Sequence, residues 1–222
     1  MAMHKSAFAN WVIRTANDWA RRHSADPLSP MLTEAVAPRP ALQAIMEQFD
    51  AIQAEVLGAL PQATSIEGEL FFPRKITSDG KWDKIYIKWY APIPAASKER
   101  FPTLCRILDQ HAEIQLAMVS ILQPGGVINP HCGSWCGCIR VHVGISTPND
   151  PSCRFVNGDQ TFYWQDGRVE AFDDTYLHHA QNETDKPRII LFLDVERKMN
   201  TPAAQRTLRW INGTLGRLTT RQ

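Results

Sequence analysis

Hydrophobic residues in the first sixty positions recur at helical intervals. Phe8, Trp11, Val12 and Trp19 share one stripe, and Leu42, Ile45, Met46, Phe49, Ile52 and Val56 make a longer one that opens after Pro40 and closes near Gly58. Each stripe predicts an amphipathic helix, and the apolar faces are expected to cover a sheet. From about residue 68 the period drops to two, predicting short strands at "GELFFP", "KIYIKWYA", "QLAMVSIL", "CIRVHVGI", "CRFV", "QTFYW", "RVEAF" and "RIILFLDV". "NGD" at 157–159 and "QDG" at 165–167 are expected to close tight hairpins on either side of "QTFYW". A short helix, "PTLCRILDQ", is expected to start at Pro102. Eight strands without alternating helices among the last six predict an antiparallel sandwich or barrel, because a parallel sheet needs crossovers.

A chain of 222 residues can bury a sizeable core and fits one domain. The periodicity divides it into a helical region over 1–67 that packs on the core, a β core over 68–198 and a basic helical extension over 199–222. Twenty-four basic residues against twenty-three acidic ones leave a formal charge of +1, which removes the electrostatic case for nucleic acid as a partner. No apolar run approaches the length of a membrane span. The opening "MAMHKSAFANWVIRTANDWARR" mixes charges with aromatics where a signal peptide would carry an unbroken apolar stretch, so a cytoplasmic location is expected. From Glu196 onward, Arg197, Lys198, Arg206, Arg209, Arg217 and Arg221 face Glu196 as the lone acid. With Leu208, Ile211, Leu215 and Leu218 spaced for one face, this predicts a basic helix docked on the domain, with peripheral contact to an anionic membrane as the alternative.

The stretch "INPHCGSWCGCIRVHVG", residues 128–144, concentrates the candidate chemistry. Cys132, Cys136, Cys138 and Cys153 could supply a zinc knot only in an unorthodox spacing without CxxC pairs, and five cysteines in a chain with a real core read as reduced thiols. In a strand, Ile139, Val141 and Val143 point one way and Arg140 and His142 the other. That second face is either solvent-exposed or, if buried, in need of an anion. His131 ends an extended segment, and His178 sits in a turn before the final strand, each accompanied by an arginine on an adjoining strand, Arg140 and Arg188. Neutral imidazoles suit iron, and guanidinium groups suit a carboxylate.

Residues from about 84 to 198 resemble the aspartyl/asparaginyl β-hydroxylase family of Fe(II)/2-oxoglutarate dioxygenases. The matching pieces are "SILQPGGVINPHCG", "RVHVGI", a tryptophan followed by "DG", and "FDDTYLHHAQNETDKPRIILFLDV", with intervals of nine from His131 to Arg140, eleven to His142, and ten from His178 to Arg188. The resemblance implies a mainly β fold with flanking helices around a double-stranded β-helix, the cupin-like jelly roll. It implies His131 and His178 as iron ligands, Arg188 with Ser120 on the distal carboxylate of 2-oxoglutarate, and Arg140 with His142 at its iron-chelating end. Gly133 stands where the wider superfamily carries its third ligand, a carboxylate two residues after the first histidine, and the resembled family similarly lacks it. Asp174 is then expected to orient water at the metal, or else to be a turn-forming residue of "FDDT". The "FDD" spacing selects His178 over His179, and Trp135 is expected to border the substrate space. The family name implies hydroxylation of an aspartyl or asparaginyl side chain in a peptide, protein or amino acid, with another small molecule or a lipid acyl chain as alternatives. A jelly roll that binds a metal without turnover, and an interaction module working through the tryptophan-rich N-terminal helix, are the competing classes.

Overall fold

The structure is a computed structural model and describes residues 2–65, 76–77 and 80–219; the "GELFFP" strand lies outside the described residues. Two antiparallel sheets face each other. The larger takes, in spatial order, β1 (Thr64–Ser65), β2 (Trp82–Trp89), β3 (Ile114–Leu122), β10 (Arg188–Glu196), β5 (Cys138–Ser146) and β8 (Val169–Phe172). The smaller takes β4 (Val127–His131), β9 (His178–Asn182), β6 (Cys153–Asn157) and β7 (Gln160–Tyr163). This is a double-stranded β-helix, or jelly roll.

The larger sheet is buried on both faces. In β10 every one of the nine residues is buried, and the two faces of the strand serve different cores. Ile189, Leu191, Leu193 and Val195 pack outward against Leu42 and Ile45 of α3 (Pro40–Glu47), Ile52 and Val56 of α4 (Phe49–Ala59), and Leu104, Ile107 and Leu108 of α6 (Pro102–Gln110). Each such side chain contributes roughly 1.5–3 kcal/mol relative to exposure. Ile190 and Phe192 point inward, toward Phe155, Trp164 and Phe172. The alternation repeats in β5, where Ile139, Val141, Val143 and Ile145 join the outer core. Arg140 and His142 therefore face the interior between the sheets, and the solvent-exposed reading of that face is overturned: His142 is 4% exposed.

Three expectations need correction. The Leu42–Val56 stripe is two helices, because Gln48 (φ −111, ψ 21) leaves the helical region between α3 and α4. The Trp11 stripe does not cover the sheet. In helix α1 (Ala2–Arg22) it is the C-terminal end that packs on the domain among the described side chains, where Trp19 and Ala20 meet Cys136 and Leu208 of α7 (Pro202–Thr219), while Trp11 and Val12 are exposed. "NGD" does close the β6–β7 hairpin, with Gly158 at φ +61, but "QDG" carries the chain from β7 in one sheet to β8 in the other. That crossing lies so close to β5 that a Cβ on Gly144 would fall 1.9 Å from the Gln165 carbonyl oxygen. No helix among the described residues is long and apolar enough to cross a membrane.

Candidate active site

Strand β4 ends at His131 and β9 begins at His178, and the two are register partners. His178 is thus the first residue of a strand, not part of a turn. The imidazole centroids are 4.1 Å apart. His131 Nδ1 lies 2.8 Å from the Asn129 carbonyl oxygen, and His178 Nδ1 lies 2.9 Å from that of Tyr176. A carbonyl accepts only, so each Nδ1 carries the proton and each Nε2 keeps its lone pair. Burial lowers the pKa of both rings, that of His178 to about 3 with help from neighbouring His131. Both are neutral near pH 7, the form that ligates a metal. His179, next along β9, is the register partner of Val156 in β6 and lies one position out of phase with His178.

The pair opens on a small cavity of about 40 Å³ between the sheets, with an aromatic wall and a polar floor. On the floor Arg188 is 1% exposed, its guanidinium 4.6 Å from the Trp164 ring centroid, and its Nη2 donates to Ser120 Oγ at 3.3 Å. Trp82 Nε1 donates to the same hydroxyl at 2.8 Å. Burial lowers the Arg188 pKa to about 10, which still leaves it charged at neutral pH. His142 Nδ1 accepts from Trp164 Nε1 at 3.2 Å, so His142 carries its proton on Nε2; burial, with Arg188 next, pushes its pKa well down and keeps it neutral. His142 Nε2 and Arg188 Nε are both buried without a hydrogen-bond partner among the described residues. Two unsatisfied donors lining one cavity fit an anion, and a carboxylate has the acceptors to meet both.

Arg140, nearer the opening, is held between two carboxylates. Its Nε lies 2.6 Å from Asp194 Oδ1 and its Nη2 2.9 Å from Asp174 Oδ2. Tyr90 donates its hydroxyl to Asp194 Oδ2 at 2.7 Å from a backbone in the left-handed region (φ +46), where an aromatic residue is strained. Burial raises the Asp174 pKa to about 6, against the opposing pull of Arg140. A Cβ on Gly133 would fall 2.3 Å from the Asp174 carboxylate, and Gly133 N donates to the Asp174 carbonyl at 2.7 Å. The carboxylate of the second histidine's loop thus fills the space into which a residue-133 side chain would project. Tyr90→Phe is expected to destabilise the protein by about 1–3 kcal/mol, because a buried carboxylate oxygen of Asp194 loses its donor; urea unfolding measures it.

The loops carrying these residues are fastened by a buried ion pair. Arg197, fully buried, places Nη2 2.7 Å from Asp173 Oδ2 and donates from Nε to the Cys136 carbonyl at 2.7 Å and from Nη1 to that of Pro27 at 3.1 Å. It joins the loop after His131 to the loop before His178. Asp173, Asp194, Arg197, Tyr90 and Trp82 escaped the sequence reading. Asp194 had a signal, since it shares the inward phase of β10 with Arg188; the others are joined to the site by contacts between distant segments.

The cysteines and Trp135 stand apart from this constellation. Among the described residues no group of three or more His, Cys, Asp or Glu side chains could hold a metal, and all five thiols are free, so the zinc knot has no structural basis. Cys136, Cys138 and Cys153 fill space in the interior, and Cys132 is exposed. Trp135 does not line the cavity: its ring lies against Gly137, and its Nε1 donates to Asn212 Oδ1 of α7 at 2.8 Å.

A jelly roll with a histidine pair at one end of a cation-floored cavity belongs structurally among the cupin-like β-helices. Within that class, the chain belongs to the Aspartyl/Asparaginyl beta-hydroxylase family, whose sequence profile matches residues 46–198. An "Ornithine lipid ester-linked acyl 2-hydroxylase" of Rhizobium tropici is 29% identical over 183 residues, 82% of this chain and 62% of that protein. The human "Aspartyl/asparaginyl beta-hydroxylase" is 31% identical over 120 residues, 53% of this chain and 15% of that protein. The chain thus spans less than two thirds of the length of either relative. A solved 2OG-Fe(II) oxygenase family oxidoreductase from Burkholderia pseudomallei is similar in fold, with a TM-score of 0.47 at 14% identity, covering 69% of this chain and 79% of that one.

Proposed function

We propose that the protein is an Fe(II)- and 2-oxoglutarate-dependent dioxygenase that hydroxylates an unactivated C–H bond. The observation that carries this reading is the juxtaposition of two neutral imidazoles, Nε2 lone pairs available, with a floor whose buried donors lack an acceptor. His131 and His178 would hold Fe(II). Arg188, with Ser120, would take the distal carboxylate of 2-oxoglutarate, and His142 Nε2–H with the positive charge of Arg140 would serve its keto-acid end. Trp164 orients both partners, bonding His142 and stacking on Arg188. Asp174, buried beside Gly133 and ion-paired with Arg140, would orient water at the metal. When bound, iron and co-substrate supply the oxidising power for the C–H bond; the chain supplies position, charge and a dry cavity.

The family name implies an aspartyl or asparaginyl β-carbon as the target. A specific observation favours the second substrate class, a lipid acyl chain: Leu177, directly before His178, is 59% exposed and Leu28 is 54% exposed. The Rhizobium relative, whose match extends over 82% of this chain, is named for an acyl hydroxylation.

Anaerobic addition of Fe(II) and 2-oxoglutarate tests the reading through the visible charge-transfer band of the chelate. A band is expected, with Arg188→Ala weakening 2-oxoglutarate about 10–100-fold as a charged hydrogen-bonding partner is lost. Succinate release on offering peptides, amino acids and acylated lipids then sorts the substrates. Absence of both band and succinate would leave a jelly roll without turnover.

A further inference from the structure

Because β4 ends at His131 and β9 begins at His178 as register partners, the loops 132–137 and 173–177 leave the jelly roll at the same end. The cavity opens there: Arg140 keeps 21% of its side chain exposed, whereas Ser120 and Arg188 on the floor are 1% exposed. Apolar side chains are exposed on the loop that leads into His178 and on the segments tied to it. Tyr176 and Leu177 stand in the second loop, exposed. Leu28, exposed, lies in a segment tied to the same loop, since the Pro27 carbonyl accepts from Arg197 and the Pro30 carbonyl accepts from Asp173 N.

Helix α1 lies across both loops. Asn17 donates Nδ2 to the Ser134 carbonyl at 2.9 Å and accepts from Cys136 N at 2.9 Å, while Arg21 Nη2 donates to Thr175 Oγ1 at 3.2 Å. Beyond that crossing, Trp11, Val12 and Ile13 are exposed on consecutive positions, with Arg14 following. Single apolar residues on a surface are ordinary; here Tyr176 and Leu177 are exposed on one of the loops that α1 crosses, and Trp11, Val12 and Ile13 on α1 itself. The charges on this segment are Arg14, Arg21 and Arg22 against Asp18. Arginines interleaved with leucine, isoleucine and aromatic side chains suit the headgroup region of an anionic bilayer. A second copy of the chain would set these arginines against each other across a two-fold axis, whereas acidic headgroups neutralise them.

We propose that this end of the molecule, formed by residues 11–14 of α1, Leu28, Tyr176 and Leu177, docks on the surface of an anionic bilayer and turns the cavity mouth toward the acyl region. The proposal rests on the acyl-chain reading of the substrate. Docking keeps an acyl chain out of water on its way to the cavity, which removes the cost of extracting a lipid into solution.

Cosedimentation of the full chain with phosphatidylcholine vesicles, with and without phosphatidylglycerol, tests it. Binding is expected on the anionic vesicles only and is expected to weaken as salt is raised. The variant Ile13→Ser/Leu28→Ser is expected to lose about tenfold or more in partitioning, from the apolar area withdrawn, and Arg14→Glu about tenfold. Circular dichroism confirms that the variants are folded. Equal binding to neutral and anionic vesicles, no binding, or partitioning unmoved by the variants overturns the proposal. So does a concentration-dependent dimer in sedimentation velocity that the same substitutions disperse. The chelate band, read on the same preparations, separates the two claims: a band without vesicle binding defeats the docking face alone, and vesicle binding without a band defeats the oxygenase reading alone.

Discussion

Replacement of either His131 or His178 by alanine is expected to erase the visible Fe(II)/2-oxoglutarate band and to abolish succinate formation. The expectation is severe because the proposed ligand set is short. No third acidic, thiol or imidazole side chain among the described residues joins the pair, and position 133 is a glycine whose side-chain volume is taken by Asp174. With only the two proposed protein ligands, loss of one leaves a single imidazole, and a single neutral nitrogen does not hold a divalent ion at micromolar concentration. The controls are internal to the sequence. His179→Ala, one residue along the same strand and out of phase, is expected to keep the band, and Asp174→Asn is expected to keep metal binding while slowing turnover. A normal band in His131→Ala/His178→Ala would refute the assignment of both ligands at once.

Arg197→Ala is expected to cost about 3–5 kcal/mol of folding stability, the usual penalty for stripping the partner from a buried charge. Asp173 is 1% exposed, and its remaining contacts, Thr175 N and Oγ1 on Oδ1, do not neutralise it. The change also frees the Cys136 and Pro27 carbonyls, so both loops beside the histidines lose their tie. The midpoint of urea unfolding reads the loss directly. Arg197→Lys is expected to restore only part of it, because one ammonium cannot reach three acceptors arranged around a planar guanidinium.

What the chain disclosed in its letters follows physical lines. Strands β2, β3, β5, β6 and β10 are visible because β-branched and aromatic residues alternate or run unbroken there, and sheet burial demands that composition. The two strands that bear the histidines are less legible by the same rule: the stretch ending at His131 reads as extended but not as a strand, and β9 reads as a turn. Pro130 interrupts β4, and "HHAQN" in β9 lacks any β-branched residue; β4 becomes a strand by pairing with β9, and β9 by pairing with β4 on one side and β6 on the other. Arg140 and His142 could be placed on one face from the period alone, but only the helices α3, α4 and α6 on the opposite face of the sheet decide that this face is interior. The α1 stripe shows the reverse limit: a periodic apolar face states that something covers it and does not say what. The partnership of Arg140 with Asp174 and Asp194 spans 34 and 54 positions of sequence, and no local pattern encodes it.

The double burial of β10 divides the evolutionary freedom of a nine-residue strand by parity. At 189, 191, 193 and 195 the neighbours are aliphatic, so drift there is limited by volume and one hydrocarbon can replace another. At 188 and 194 the neighbours are Ser120, Trp164, Arg140 and Tyr90, so drift is limited by charge and donor geometry. A single stretch of backbone therefore answers to two independent constraints, one of how tightly the helices fit and one of which charges and donors the interior holds, interleaved residue by residue.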